Sequence, residues 1–121
     1  LSVELFELHD RERFEVYAFS WSRDDGTPLR ARLRAAIDHY VPIGGLSDDA
    51  AARLIAQHGV DVLVDLQGLT SGARPAIVGL RPAPIQVSYL GLPGTCALPG
   101  VDWILVFSGE LASSFRNIAI A

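Results

Sequence analysis

The chain is predicted to be an α/β protein built on a parallel sheet, and three observations predict it. Extended runs rich in β-branched and aromatic residues alternate with helical patterns of ~10–12 residues. The extended runs are apolar on both faces, as strands are when helices cover the sheet from both sides. Two of the helical patterns open on explicit start signals, Thr27-Pro28 and Ser47-Asp48-Asp49. Strand–helix alternation of this kind calls for crossover connections in one parallel sheet.

Leu1, Leu5 and Leu8 in "LSVELFEL" fall on one helical face, so the chain opens within a helix. "FEVYAFSW" follows as a strand, with Phe14, Val16 and Ala18 on one side and Tyr17 and Phe19 on the other. "SRDDGT" is a turn with a glycine suited to φ > 0. From Thr27-Pro28 the spacing predicts a helix carrying Leu29, Leu33, Ala36, Ile37 and Tyr40 on its apolar face, with Arg30, Arg34 and Asp38 along another. "YVPI" is a short extended piece before Gly44-Gly45.

Ser47 caps the next helix, and Asp48 and Asp49 complement its dipole. Ala50, Ala51, Leu54, Ile55 and His58 form its buried stripe, and Gly59 ends it. "VDVLVDL" reads as a buried strand, "QGLTSGAR" as a glycine-bearing loop and Pro75 to Leu80 as a helical turn. A strand from Ile85 to Leu90, the loop Gly91 to Gly100 and a last strand opening at Val101 complete the regular part. "SGELASSFRNIAIA" has no period. Residues 1–107 are therefore expected to form one unit, with 108–121 a tail of uncertain structure.

Composition excludes several classes. Of 121 residues half are apolar and a fifth charged, the profile of a globular chain. The net charge of −4 argues against a nucleic-acid partner, and all ten basic residues are arginine. No apolar run approaches the ~20 residues of a membrane span, and no secretory signal opens the chain. A single cysteine, Cys96, permits neither an internal disulfide nor a Cys/His zinc cluster, which fits a cytoplasmic setting. The absence of any methionine and the opening inside a helix lead to the expectation that the chain is a piece of a longer protein, exposing apolar surface and prone to associate.

In open α/β sheets, ligands bind beyond the carboxyl ends of the strands. Two glycine-rich loops fall there, Gln67 to Arg74 and Gly91 to Gly100. Neither has the spacing of a dinucleotide fingerprint or the Gly-Lys of a P-loop, so on pattern alone both are tight β–α turns. His9, His39 and His58 are isolated, with His39 and His58 placed at helix ends. Asp65 is a loop-binding carboxylate or a ribose ligand lacking its upstream glycines. Asp102 ties down the loop before it, and Arg74 and Arg81 flank the short helical turn, there to meet a carboxylate or a phosphate. No carboxylate pair, nucleophile–base pair or metal cluster emerges.

"FEVYAFSWSRDDGTPLR", "GVDVLVDLQGLTSGARP" and "LRPAPIQVSYLGLPGT" followed by "VDWIL" resemble the catalytic region of O-linked N-acetylglucosamine (O-GlcNAc) transferases, the bacterial type with tetratricopeptide (TPR) repeats above all. The likeness runs from Leu1 to Leu105. Its most specific element is R-P-A-P-I-Q…G-x-P-G-T preceded by G-x-T-x-G-A-R. The resemblance implies a partial, Rossmann-like N-terminal lobe of a two-lobed glycosyltransferase of the B type (GT-B). It implies inverting transfer of N-acetylglucosamine from UDP-GlcNAc to Ser/Thr hydroxyls of a protein or peptide acceptor, without cofactor or essential metal, with upstream helical repeats presenting the acceptor. It places Leu90 and Gly91, with the turn Leu92, Pro93, Gly94 and Thr95, against the donor sugar, and Leu69 beside the same pocket.

No catalytic residue of the family falls within this stretch. The histidine of its N-H-P-T-S segment would stand just before Leu1, and the diphosphate-holding lysine and histidines belong to the second lobe. Leu69 and Leu92 stand where the family has tyrosines, and Cys96-Ala97 where it has Ser-Gly. "VFSGELASSFRNIAIA" leaves the family pattern, by frameshift, truncation or divergence. Two alternatives stand beside this reading: a non-catalytic small α/β binding module, and a sugar-nucleotide transferase with a small-molecule acceptor.

Overall fold

The computed structural model describes residues 3–66, 72–89, 100–104 and 117–120. Its elements are α1 (Val3–Glu7), β1 (Glu15–Ser20), α2 (Pro28–Ala36), β2 (His39–Pro42), α3 (Asp48–Gln57), β3 (Val62–Asp65), α4 (Pro75–Gly79), β4 (Ile85–Ser88), β5 (Trp103–Ile104) and β6 (Asn117–Ile120). The strands form one sheet in the order β2-β1-β6-β3-β4-β5, and every pairing is parallel. The predicted α/β class is thus the observed one.

Alternation along β1 divides the core as its sequence requires. Tyr17 and Phe19 join the cluster beneath α3 and α4, with Ala51, Ala52, Ile55, Leu63, Ile77 and Val78. Val16 and Ala18 face the opposite way, toward Phe6 of α1 and Leu33, Ala36 and Ile37 at α2. All four residues of β3 are buried, which explains its consecutive apolar residues Val62, Leu63 and Val64 before Asp65. A third cluster, Val62, Val64 and Val87, is continuous with the second through Leu66.

Both cap predictions hold in detail. The Thr27 hydroxyl accepts from the Arg30 amide at 3.3 Å, with Pro28 in the first turn of α2. The Ser47 hydroxyl accepts from the Ala50 amide at 3.2 Å. A side-chain cap of this kind stabilises by ~1 kcal/mol. Gly59, φ +67°, follows α3 in the left-handed conformation that ends helices.

Three local expectations are corrected. The helix from Pro28 stops at Ala36, so Tyr40 and His39 lie in β2 and not on a helix or at its end. What stops it is Asp38: its carboxylate accepts the Val16 amide at 2.8 Å and meets His9 at 3.0 Å, pulling the chain into register with β1. Leu29, expected on the apolar face of α2, is 62% exposed. On α3 the stripe is rotated: Ala52 is buried and His58 is exposed, its ring lying against Tyr17 and Phe19 at 5.5 and 5.6 Å.

The last strand differs most from expectation. β6 comes from the stretch without a period, yet it sits mid-sheet and bridges β1 to β3, pairing Val16↔Ile118 and Val62↔Ile118. The expected boundary at residue 107 lies outside the described residues.

Candidate functional site

The carboxyl ends of β3 and β4 lie side by side, with Asp65 in register with Ser88. Both side chains are buried, and the Tyr89 amide donates to the Asp65 carbonyl at 2.9 Å, extending the pairing one residue past β4. The two glycine-rich loops leave the sheet from this edge. Leu69, Leu90, Gly91, Leu92, Pro93, Gly94 and Thr95 all lie outside the described residues, as do Gln67 and Cys96. The described residues instead define what holds the two loops at their ends.

The first loop returns through Gly72, Ala73 and Arg74. Arg74 is committed three ways: Nε donates to Asp48 Oδ1 at 2.8 Å, Nη1 to the Ile43 carbonyl at 3.1 Å and Nη2 to the Leu46 carbonyl at 2.6 Å. Its guanidinium also lies 5.9 Å from the Trp21 ring, whose Nε1 donates to the Gly72 carbonyl at 3.0 Å. One arginine thereby joins the segments that follow β1, β2 and β3. Of the two partners open for Arg74 from sequence, the structure selects the carboxylate.

The second loop is held at its far foot by Arg81, Gln86 and Asp102. Arg81 makes a two-toothed contact with Asp102, both N···O distances 3.0 Å, and donates to the carbonyls of Gly100 at 3.2 Å and Pro84 at 3.1 Å. Such fork geometry suits guanidinium specifically. Asp102 also accepts the Gln86 amide at 2.9 Å and returns its own amide to the Gln86 carbonyl at 2.8 Å. Hydrogen bonding to Arg81, joined by the Gln86 amide, holds the Asp102 carboxyl below the usual carboxylate range, and the same contact raises Arg81. Asp102, expected to tie down the loop before it, bonds Arg81 and Gln86, and it is these two that reach the Gly100 carbonyl at the end of that loop.

Gln86 was not singled out from sequence, and it is the centre of this arrangement. Fully buried, its Nε2 donates to the carbonyls of Val78 at 2.8 Å and Gly100 at 2.6 Å, and its Oε1 accepts the Ala83 amide at 3.4 Å. The available signal was an amide side chain inside an otherwise apolar strand core, which must find partners. Gly100, φ +89°, packs so closely on the Val78 carbonyl that a Cβ would collide with it. Arg81 itself has φ +50°, an unusual conformation for a residue with a Cβ.

The histidines serve structure. His9 places its ring nitrogens against the Phe6 carbonyl and Asp38, and His39 stacks on Tyr17 at 4.4 Å and contacts Glu15. A cavity of about 510 Å³ lined by Arg11, Arg13, Glu15 and Asp38 opens at the amino ends of β1 and β2, away from the loops. Among the described residues no group of three His, Cys, Asp or Glu could hold a metal, and no helix is long and apolar enough to cross a membrane.

The described residues form a parallel α/β unit with the carboxyl ends of β3 and β4 side by side, and among them no complete catalytic set is assembled. Residues 1–116 match the model for glycosyl transferase family 41, and the chain belongs to that family. It is 39% identical over 105 residues to the Arabidopsis thaliana protein described as a probable UDP-N-acetylglucosamine–peptide N-acetylglucosaminyltransferase SEC, covering 87% of this chain and 11% of the relative. It is 41% identical over 99 residues to the Caenorhabditis elegans UDP-N-acetylglucosamine–peptide N-acetylglucosaminyltransferase, covering 81% and 9%. Among solved structures, a K341M mutant of Thermobaculum terrenum O-GlcNAc transferase superposes with a TM-score of 0.78 at 34% identity, covering 84% of this chain and 19% of that one. The chain thus spans about a tenth of the curated relatives it matches.

Proposed function

We propose that the chain is part of the N-terminal lobe of a GT-B enzyme that transfers N-acetylglucosamine from UDP-GlcNAc to Ser or Thr of protein acceptors, with inversion. The observation that carries the reading is the family match over residues 1–116. The paired carboxyl ends of β3 and β4, from which both loops spring, support it. In this reading Leu90, Gly91, Leu92, Pro93, Gly94 and Thr95 line the donor sugar through backbone N–H groups and an apolar wall, and Leu69 adds to that wall. Glycines suit such a wall because they let a ligand approach the backbone.

Inverting transfer needs an activated hydroxyl and a stabilised diphosphate leaving group. The two arginines best placed to meet a diphosphate are instead paired with Asp48 and Asp102. The chemistry is therefore assigned to a second lobe, and the 121-residue chain alone is inactive. No metal or cofactor takes part, upstream helical repeats present the acceptor, and the enzyme works in the cytoplasm.

The test is to incubate the full-length protein carrying this chain with UDP-GlcNAc and Ser/Thr peptides, with and without EDTA, and to read the product's anomeric configuration by NMR. A β-linked O-GlcNAc peptide formed equally in EDTA is expected. Transfer only to small molecules, or retention of configuration, would overturn the reading.

A further inference from the structure

We infer that His9 is a pH-operated latch: its doubly protonated ring pins the carboxyl end of α1 to Asp38, just before β2, and loss of one proton loosens α1 from the amino end of the sheet. Both ring nitrogens face oxygens that can only accept. Nδ1 meets the Phe6 carbonyl, one of the last carbonyls of α1, and Nε2 lies 3.0 Å from Asp38 Oδ2. Asp38 has no proton to offer at neutral pH: against burial, the Val16 amide, His9 and Arg11 hold its carboxyl below the usual carboxylate range. A neutral imidazole carries one N–H and one lone pair, and only the imidazolium carries two donors. In the neutral ring one nitrogen therefore turns a lone pair toward an oxygen, and one of the two contacts is lost.

The two sides of the latch are not equally firm. The Asp38 side is fixed, because Oδ2 also accepts the Val16 amide at 2.8 Å. The α1 side depends on tertiary contacts, since a helix of five residues has no stability of its own. Those contacts are Phe6 in the core beneath α2, the His9 bridge, and the Glu7–Arg32 pair, which lies at the surface and counts for little. Arg11 does not take over the bridge: its Nη2 is spent on the carbonyls of Ala35 and Ala36, and its Nη1 stands 3.6 Å from Asp38 Oδ1. Of the other charged groups at this end, Asp10 accepts the Glu12 amide and Glu15 of β1 meets His39 of β2. His39 stacks on Tyr17, whose side chain joins the core beneath α3, the opposite face of the sheet from Phe6.

The test follows hydrogen exchange of segment 3–9 in the full-length protein carrying this chain, at several values from about pH 5.5 to 8.5, the range in which histidine gives up its proton. Rates are corrected for intrinsic exchange, and segment 48–57 of α3 is the reference. The expected result is that protection of 3–9 falls about tenfold as pH rises, the worth of one hydrogen bond, while 48–57 stays level. His9→Gln, with a donor at only one end of its amide, is expected to show the low protection at every pH, without a step. Asp38→Asn, which removes the charge facing Nε2 and keeps an oxygen for the Val16 amide, flattens the step as well. His39→Gln leaves it in place. Level protection of 3–9 in the unmodified protein would overturn the inference. So would a full step in His9→Gln or Asp38→Asn, or a step abolished only in His39→Gln.

Discussion

The Arg81 guanidinium and the Asp102 carboxylate meet tooth to tooth at 3.0 Å, and the Gln86 side chain and backbone close the ring behind them. The end of α4, the start of β4 and the approach to β5 are thereby joined in one network. The prolines of "RPAPIQ" fit this geometry. Pro82 and Pro84 precede the strand, where a missing N–H costs nothing, and the Pro84 carbonyl is itself an acceptor for Arg81.

Gln86→Leu tests the buried part of that network. The leucine fills similar volume but leaves the Val78 carbonyl and the Ala83 amide without their side-chain partner. The expected loss is roughly 1–3 kcal/mol, read as a lower urea midpoint with an unchanged slope. Unaltered stability would show that Gln86 is a passenger.

Asp38 gives a pH prediction. Burial pushes its carboxyl up, but the Val16 amide, His9 and Arg11 together outweigh burial and hold it below the usual carboxylate value. Because the folded value lies beneath the unfolded one, near ~3.9, the unfolded chain takes up the proton first as pH falls. The stabilisation is whole at neutral pH, declines below about pH 4 and is gone beneath the folded value. Asp38→Asn is expected to be less stable at pH 7 and to show a shallower loss between pH 5 and 3, compared by thermal melts across that range. A parallel loss in both proteins would assign the acid sensitivity elsewhere.

β6 joins the β1–β2 half of the sheet to the β3–β4–β5 half. Ile118→Pro removes a backbone donor from a central strand and adds a ring that such strands do not accommodate. The expected outcome is loss of cooperative unfolding by circular dichroism, the two halves no longer sharing a hydrogen-bonded ladder. A single transition at the original temperature would mean that the helices alone hold the halves together.

What was legible from the sequence follows from how local each signal is. Thr27, Ser47 and Gly59 announce helix ends through contacts within a few residues, and each was placed correctly. The two-faced pattern of Val16–Phe19 announced a covered strand, and both faces are covered. Tyr40 was misplaced because apolar spacing continued past Ala36, while the signal that ends α2, Asp38 gripping the Val16 amide, spans 22 residues. The same applies to β6, whose partners lie about 100 and 55 residues away along the chain and which no local period betrays. At the site, glycines after the ends of two strands singled out the loops Gln67 to Arg74 and Gly91 to Gly100, of which residues 67–71 and 91–99 lie outside the described residues, and the carboxylate partner of each arginine was open to expectation. The role of Gln86 became visible only once the Val78 and Gly100 carbonyls were brought to it.

The donor-sugar wall is tested most directly by comparing the affinities of UDP-GlcNAc and UDP for the full-length protein and for its Gly91→Val variant, by calorimetry. If the turn after β4 lies against the sugar, the variant loses about tenfold or more in UDP-GlcNAc affinity, the worth of one hydrogen bond or more, while UDP binding is unchanged. Equal losses for both ligands, or no loss for either, would contradict the placement of the sugar at this turn.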